Sequence, residues 1–161
     1  MVHPDTTSIP FSKNRVMMLG AVPLPSWKTG YRNFTAAIKT RIEQGRAVVI
    51  YPEAHLWPMY TGIRNFKSDS FLYPLMYGAP VFCTTTVLKK RRVRKQPKVI
   101  IYVDGPFLPD PALSTAENKQ KLRDEVHAVM CERAKESDYD RVKYIKAEPS
   151  PAAEEETDEK V

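Results

Sequence analysis

The sequence predicts an α/β domain with a mixed central sheet flanked by helices, and three observations carry that prediction. Long stretches hold apolar residues at helical spacing, β-rich apolar runs alternate with them, and Gly or Pro punctuates the junctions. With 161 residues and 42% apolar content, one domain with a sizeable core is expected.

Taken in order, Val16-Met17-Met18-Leu19 before Gly20 reads as a strand-like entry. Residues 29–44 place Tyr31, Phe34, Ile38 and Ile42 on one helical face, with Thr29 as cap and Gly45 as stop. Residues 46–51 follow as a buried strand, so helix, Gly turn and strand form the second half of a βαβ unit. After a loop, residues 68–77 predict a second helix, capped by Ser68 and Asp69, ended by Gly78 and open to a kink at Pro74. Residues 80–88 and 98–103 are β-rich runs on either side of Lys89-Lys90-Arg91-Arg92-Val93-Arg94-Lys95, an antiparallel hairpin with a charged tip, and Asp104-Gly105-Pro106 closes its second strand as a turn. Residues 114–135 form a long helix opened by Ser114 with Glu117 at capping-box spacing, and Leu122, Val126, Val129 and Met130 share its apolar face. Tyr139 and Tyr144 pack a short extension back on the body.

Charge is unevenly placed. Residues 147–161 hold six acids and one lysine, against 24 basic and 13 acidic residues before them. The expected organisation is a domain over 1–146 with a basic surface suited to anionic partners, followed by a disordered acidic tail over 147–161. Cys83 and Cys131 have neither metal-site nor disulfide spacing and read as buried thiols in a reducing compartment. No apolar run reaches the roughly 20 residues of a spanning helix, and no signal-peptide pattern opens the chain. The expected location is cytoplasmic, with any membrane contact peripheral and from the surface.

The chemistry concentrates around one carboxylate. Val48-Val49-Ile50-Tyr51-Pro52-Glu53 runs an apolar stretch into Glu53, and Phe66-Lys67-Ser68-Asp69 begins thirteen residues later. In α/β sheets, the carboxyl ends of strands are where sites open. Arg64 and Lys67 lie on the following loop, where they could meet a phosphate, and Lys28 is the cation nearest Gly20-Ala21-Val22-Pro23. His55 is read as a packing or hydrogen-bonding residue, and His127 and Glu132 as a coincidental spacing on one helix.

This order of motifs resembles the glycerolipid acyltransferase family, the lysophosphatidate acyltransferase-like enzymes. There a strand ending in Pro-Glu-Gly precedes a Phe-Lys segment and a helix, and Gly78-Ala79-Pro80-Val81-Phe82 is similar to the family's fourth block. The resemblance covers about residues 20–86. It implies acyl transfer from acyl-CoA or acyl carrier protein to a lysophospholipid or glycerol-phosphate hydroxyl, with Glu53, Arg64, Lys67 and Lys28 on the acceptor side, no further cofactor and no metal. The family's Gly-Thr-Arg after the glutamate is Ala54-His55-Leu56 here, and its catalytic His-x-x-x-x-Asp box is not in these residues: Ser8, Tyr60 and Glu132 stand five positions after His3, His55 and His127. A partial acyltransferase domain without its own catalytic residues is therefore expected. The alternative is a non-catalytic module that binds anionic membrane surfaces or nucleic acid through the basic run from Lys89 to Lys95, with nucleic acid disfavoured because no aromatics are interleaved with the charges.

Overall fold

The computed structural model describes residues 18, 20–22, 24–25, 28–53, 57–139 and 142–145, and for Lys28 and Thr29 the backbone alone. Among them lie helix α1 (Lys28–Glu43), a 3-10 turn (Asp69–Phe71), helix α2 (Leu72–Tyr77), strands β1 (Val81–Lys89) and β2 (Lys98–Phe107), and helix α3 (Thr115–Ala134).

Helix α1 forms where the apolar spacing puts it, burying Phe34 and Ile38 one turn apart. It starts at Lys28, one residue before the expected cap. It closes in a Schellman motif, with Arg46 N–H bonded to the Arg41 carbonyl and Gly45 N–H to that of Ile42. Edge-to-face packing of Phe34 on Tyr73 at 5.7 Å, and a 2.9 Å bond from the Tyr77 hydroxyl to the Thr35 carbonyl, dock α1 on α2.

The second predicted helix is split. Ser68 makes no side-chain capping bond, Asp69 pairs instead with Lys119 at 3.5 Å, and regular α-helix begins only at Leu72. Pro74 has no N–H to give the Ser70 carbonyl, so the first turn is 3-10, and the proline then sits in the first α-turn, where it is tolerated. Gly78, at φ 60°, ends α2 in the left-handed region.

Strands β1 and β2 pair antiparallel, from Lys89 opposite Lys98 to Val81 opposite Phe107. The expected turn at Asp104-Gly105-Pro106 is instead part of β2. Cys83 opposite Asp104 and Val81 opposite Phe107 leave one extra residue on β2, a bulge that lets the strand continue. Gly105, at φ 134°, occupies it, and a Cβ there would lie 2.8 Å from the Val81 carbonyl oxygen.

The sheet seats one face on α3. Cys83, Thr85 and Val87 point inward, and Leu122, Val126 and Met130 of α3 join Cys83, Phe66 and Phe71 in the core. Ser114 and Glu117 make the expected capping box. Asn118, buried one turn on, accepts from Asp110 N–H at 2.7 Å and donates to the Asp110 and Leu113 carbonyls. Its amide thereby pins the loop that returns from β2 to the helix.

The mixed central sheet is corrected by the structure: among the described residues the sheet has two strands, both antiparallel. Residues 46–51 form no strand, and Val49 and Tyr51 are exposed. An apolar run becomes a strand only beside another strand, and β1 and β2 take up each other's ladder. The coarse reading, mixed helix and sheet, holds. Much of the expected strand over 16–22 lies outside the described residues, and its described part is not strand: Met18 is helical and 20–22 are a turn and irregular chain. The tail over 147–161 lies outside them too.

Candidate functional site

Glu53 and Arg64 come together. The eleven-residue separation is closed by three bonds: Arg64 N–H and Nε donate to Glu53 Oε2 at 3.1 and 3.3 Å, and Arg64 Nη2 donates to the Glu53 carbonyl at 2.9 Å. Both side chains are largely buried. Charge-assisted bonds of this kind are stronger than neutral ones, and here they fix both the carboxylate and the base of the loop between the two residues.

An aromatic cluster packs against the pair. The Arg64 guanidinium lies over the Trp57 ring at 4.7 Å, Trp57 stacks on Tyr144 at 4.9 Å, and Tyr60 meets both rings edge-on. The Tyr144 hydroxyl donates to the Pro58 carbonyl at 2.7 Å. The chain's last described segment thus holds the loop that carries the site, in line with the expectation that Tyr144 packs back on the body. The contribution of Trp57 and Tyr60 was not read from the sequence, although Trp57-Pro58-Met59-Tyr60 beside the carboxylate was the available signal.

The other candidate cations lie differently. Lys67 is exposed, next to Phe66, whose carbonyl accepts from Arg123 Nε at 2.9 Å. The 3-10 turn after Lys67 is only three residues long, so the helix dipole expected to favour a phosphate there is weak, a correction to the expected helix entrance. Lys28 opens α1, and its side chain, like His55, falls outside the described residues.

Elsewhere charges meet in a structural role. Arg133 grips Asp104 in a fork, with Nη2 to Oδ1 at 2.7 Å and Nε to Oδ2 at 3.2 Å, and its guanidinium lies 4.3 Å from the Tyr102 ring. That fork holds the Asp104 carboxyl below its usual range, while the Glu136 carboxylate, 2.7 Å from the Tyr102 hydroxyl, pushes the phenol up. Asp104, Arg133 and Glu136 line a depression of about 410 Å³ with Val129, Glu132 and Lys135, where Lys135 is paired to Glu132. Its charges are spent on one another, tying α3 to β2. His127 does not meet Glu132 as a pair. Its ring packs edge-on against Phe66 and contacts Cys131 Sγ at 3.7 Å; Cys131, expected to be buried, is only half-buried, while Cys83 is buried and its thiol is pushed up by that burial. Among the described residues, no group of three or more His, Cys, Asp or Glu side chains could hold a metal ion, and no helix is long and apolar enough to cross a membrane.

Comparison with protein-family models, with curated proteins and with solved structures finds no match.

Proposed function

We propose that this chain is the acceptor-binding part of an acyltransferase-like domain, in which Glu53 orients the hydroxyl-bearing acceptor and acyl-CoA or acyl carrier protein is the donor. The observation that supports this reading is the Glu53–Arg64 pair, held by three bonds, one of them the 3.3 Å ion contact. A carboxylate held this way has little freedom to rotate, and such preorganisation is what positioning a substrate hydroxyl requires. Arg64 acts on Glu53 as a positioning residue. Lys67, exposed on the same stretch, supplies the charge for the acceptor phosphate, or for a glycerol-phosphate.

The reaction forms an ester bond between the acceptor oxygen and the acyl carbon and breaks the thioester carbon–sulfur bond. The acceptor proton goes to a base and the thiol leaves. An alcohol near neutral pH is a poor nucleophile without that base, and in this reading the base is a histidine outside residues 1–161. The test compares this chain with a version carrying an in-frame upstream His-x-x-x-x-Asp segment. Thioester release from acyl-CoA with lysophosphatidate should stay at background for the first and be robust for the second. Glu53→Ala in the longer version should raise the acceptor KM more than the donor KM. Robust turnover by residues 1–161 alone, abolished by His55→Ala, would overturn this account.

A further inference from the structure

The outer face of the β1–β2 hairpin has no cover among the described residues. Phe82, Val99, Ile101 and Val103 are 54, 56, 63 and 65% exposed, on the side opposite α3. A solvated antiparallel sheet alternates apolar-in with polar-out. Strand β2 does not: Val99-Ile100-Ile101-Tyr102-Val103 is apolar on both faces. The row ends at the hairpin tip, where six of the seven residues from Lys89 to Lys95 are cations and the seventh, Val93, is 93% exposed. Lys89 lies directly opposite Lys98, a like-charge cross-strand pair that works against hairpin stability. The tip's backbone is nonetheless held, because Asp138 Oδ1 accepts from Lys90 N–H and the Tyr139 hydroxyl donates to the Lys95 carbonyl. The charge is therefore carried on an anchored element.

We infer that this face and tip together form a docking surface for an anionic lipid bilayer. The apolar row contacts the acyl boundary while the tip cations, on long stems, meet the headgroup phosphates. Charge complementarity selects this occupant. A purely apolar cover would gain nothing from cations crowded at the end of the row, whereas an anionic bilayer engages both features at once. The inference rests on the acyltransferase-like reading only for its purpose, which is to bring Glu53 to a lipid-borne acceptor.

The experiment is co-sedimentation of the full chain with vesicles of phosphatidylcholine, and of phosphatidylcholine mixed with phosphatidylglycerol in equal parts. Binding should require the anionic lipid. Arg92→Gln with Arg94→Gln should weaken it about thirty-fold at low salt, about five-fold for each cation, and this difference should vanish at high salt. Ile101→Thr with Val103→Thr, which keeps β-branched shape, should weaken it about ten-fold at either salt. Circular dichroism should show both variants folded. Equal binding to both vesicle types would overturn the inference, as would unchanged affinity in the threonine variant. A dimer that the threonine variant dissolves, or preference for RNA over vesicles, would overturn it in favour of a second copy or a nucleic acid. If vesicle binding fails while the longer version acylates detergent-dispersed lysophosphatidate, the docking surface falls and the acyltransferase-like reading stands.

Discussion

Replacing Gly105 by alanine should cost far more stability than the same change at Gly78, although both residues have positive φ. At Gly78, φ is 60° and nothing among the described residues lies within 4 Å of an added Cβ, so the cost is the left-handed backbone alone, about 1 kcal/mol. At Gly105, φ is 134°, a conformation an alanine also resists, and the Cβ would sit 2.8 Å from the Val81 carbonyl oxygen, 2.9 Å from Phe82 Cδ1 and 3.2 Å from Phe82 Cα. Two of those three atoms are backbone, so relief requires opening the ladder at the bulge rather than turning a side chain. Strain of about 2 kcal/mol and overpacking of about 2 kcal/mol sum to about 4 kcal/mol, against a typical total of about 5–15 kcal/mol. Urea unfolding followed by circular dichroism reads the difference. With a slope of about 2 kcal/mol per molar, the Gly105→Ala midpoint should fall about 1.5 M below that of Gly78→Ala. Equal midpoints for the two variants would refute the packing argument at the bulge.

Two further outcomes follow from buried and paired groups. Thr85, 1% exposed on the inner face of β1, has a hydroxyl without a hydrogen-bond partner among the described residues, so Thr85→Val should raise stability by about 1 kcal/mol; destabilisation on urea unfolding would count against an unpaired hydroxyl. Asp104, held low by Arg133, stabilises the fold above the ordinary aspartate pKa of about 4, and that contribution is lost as pH falls through the lowered value. Asp104→Asn should therefore melt below the parent at neutral pH and converge on it in acid, and a gap that persists at low pH would contradict the pairing.

Local chemistry made several elements legible in the sequence. The i, i+4 spacing of Phe34 and Ile38 and the Ser114–Glu117 box act within one or two turns, so reading them required no knowledge of the rest of the chain. The hairpin was equally visible, as two β-rich runs around a polar tip. Tertiary structure decided the rest. Whether residues 46–51 pair into a sheet depends on a neighbouring strand that no local pattern supplies, and whether β2 turns or bulges at Gly105 depends on the Val81 carbonyl across the ladder. The meeting of Glu53 with Arg64 was suggested by their place on one loop, but the aromatic cluster brings Tyr144 onto Trp57 and Tyr60, 87 and 84 positions earlier in the chain. Sequence determined which segments coil and which groups carry charge, because those are short-range properties; the partners of an exposed strand face or a fixed carboxylate were settled only by contacts between segments distant in the chain.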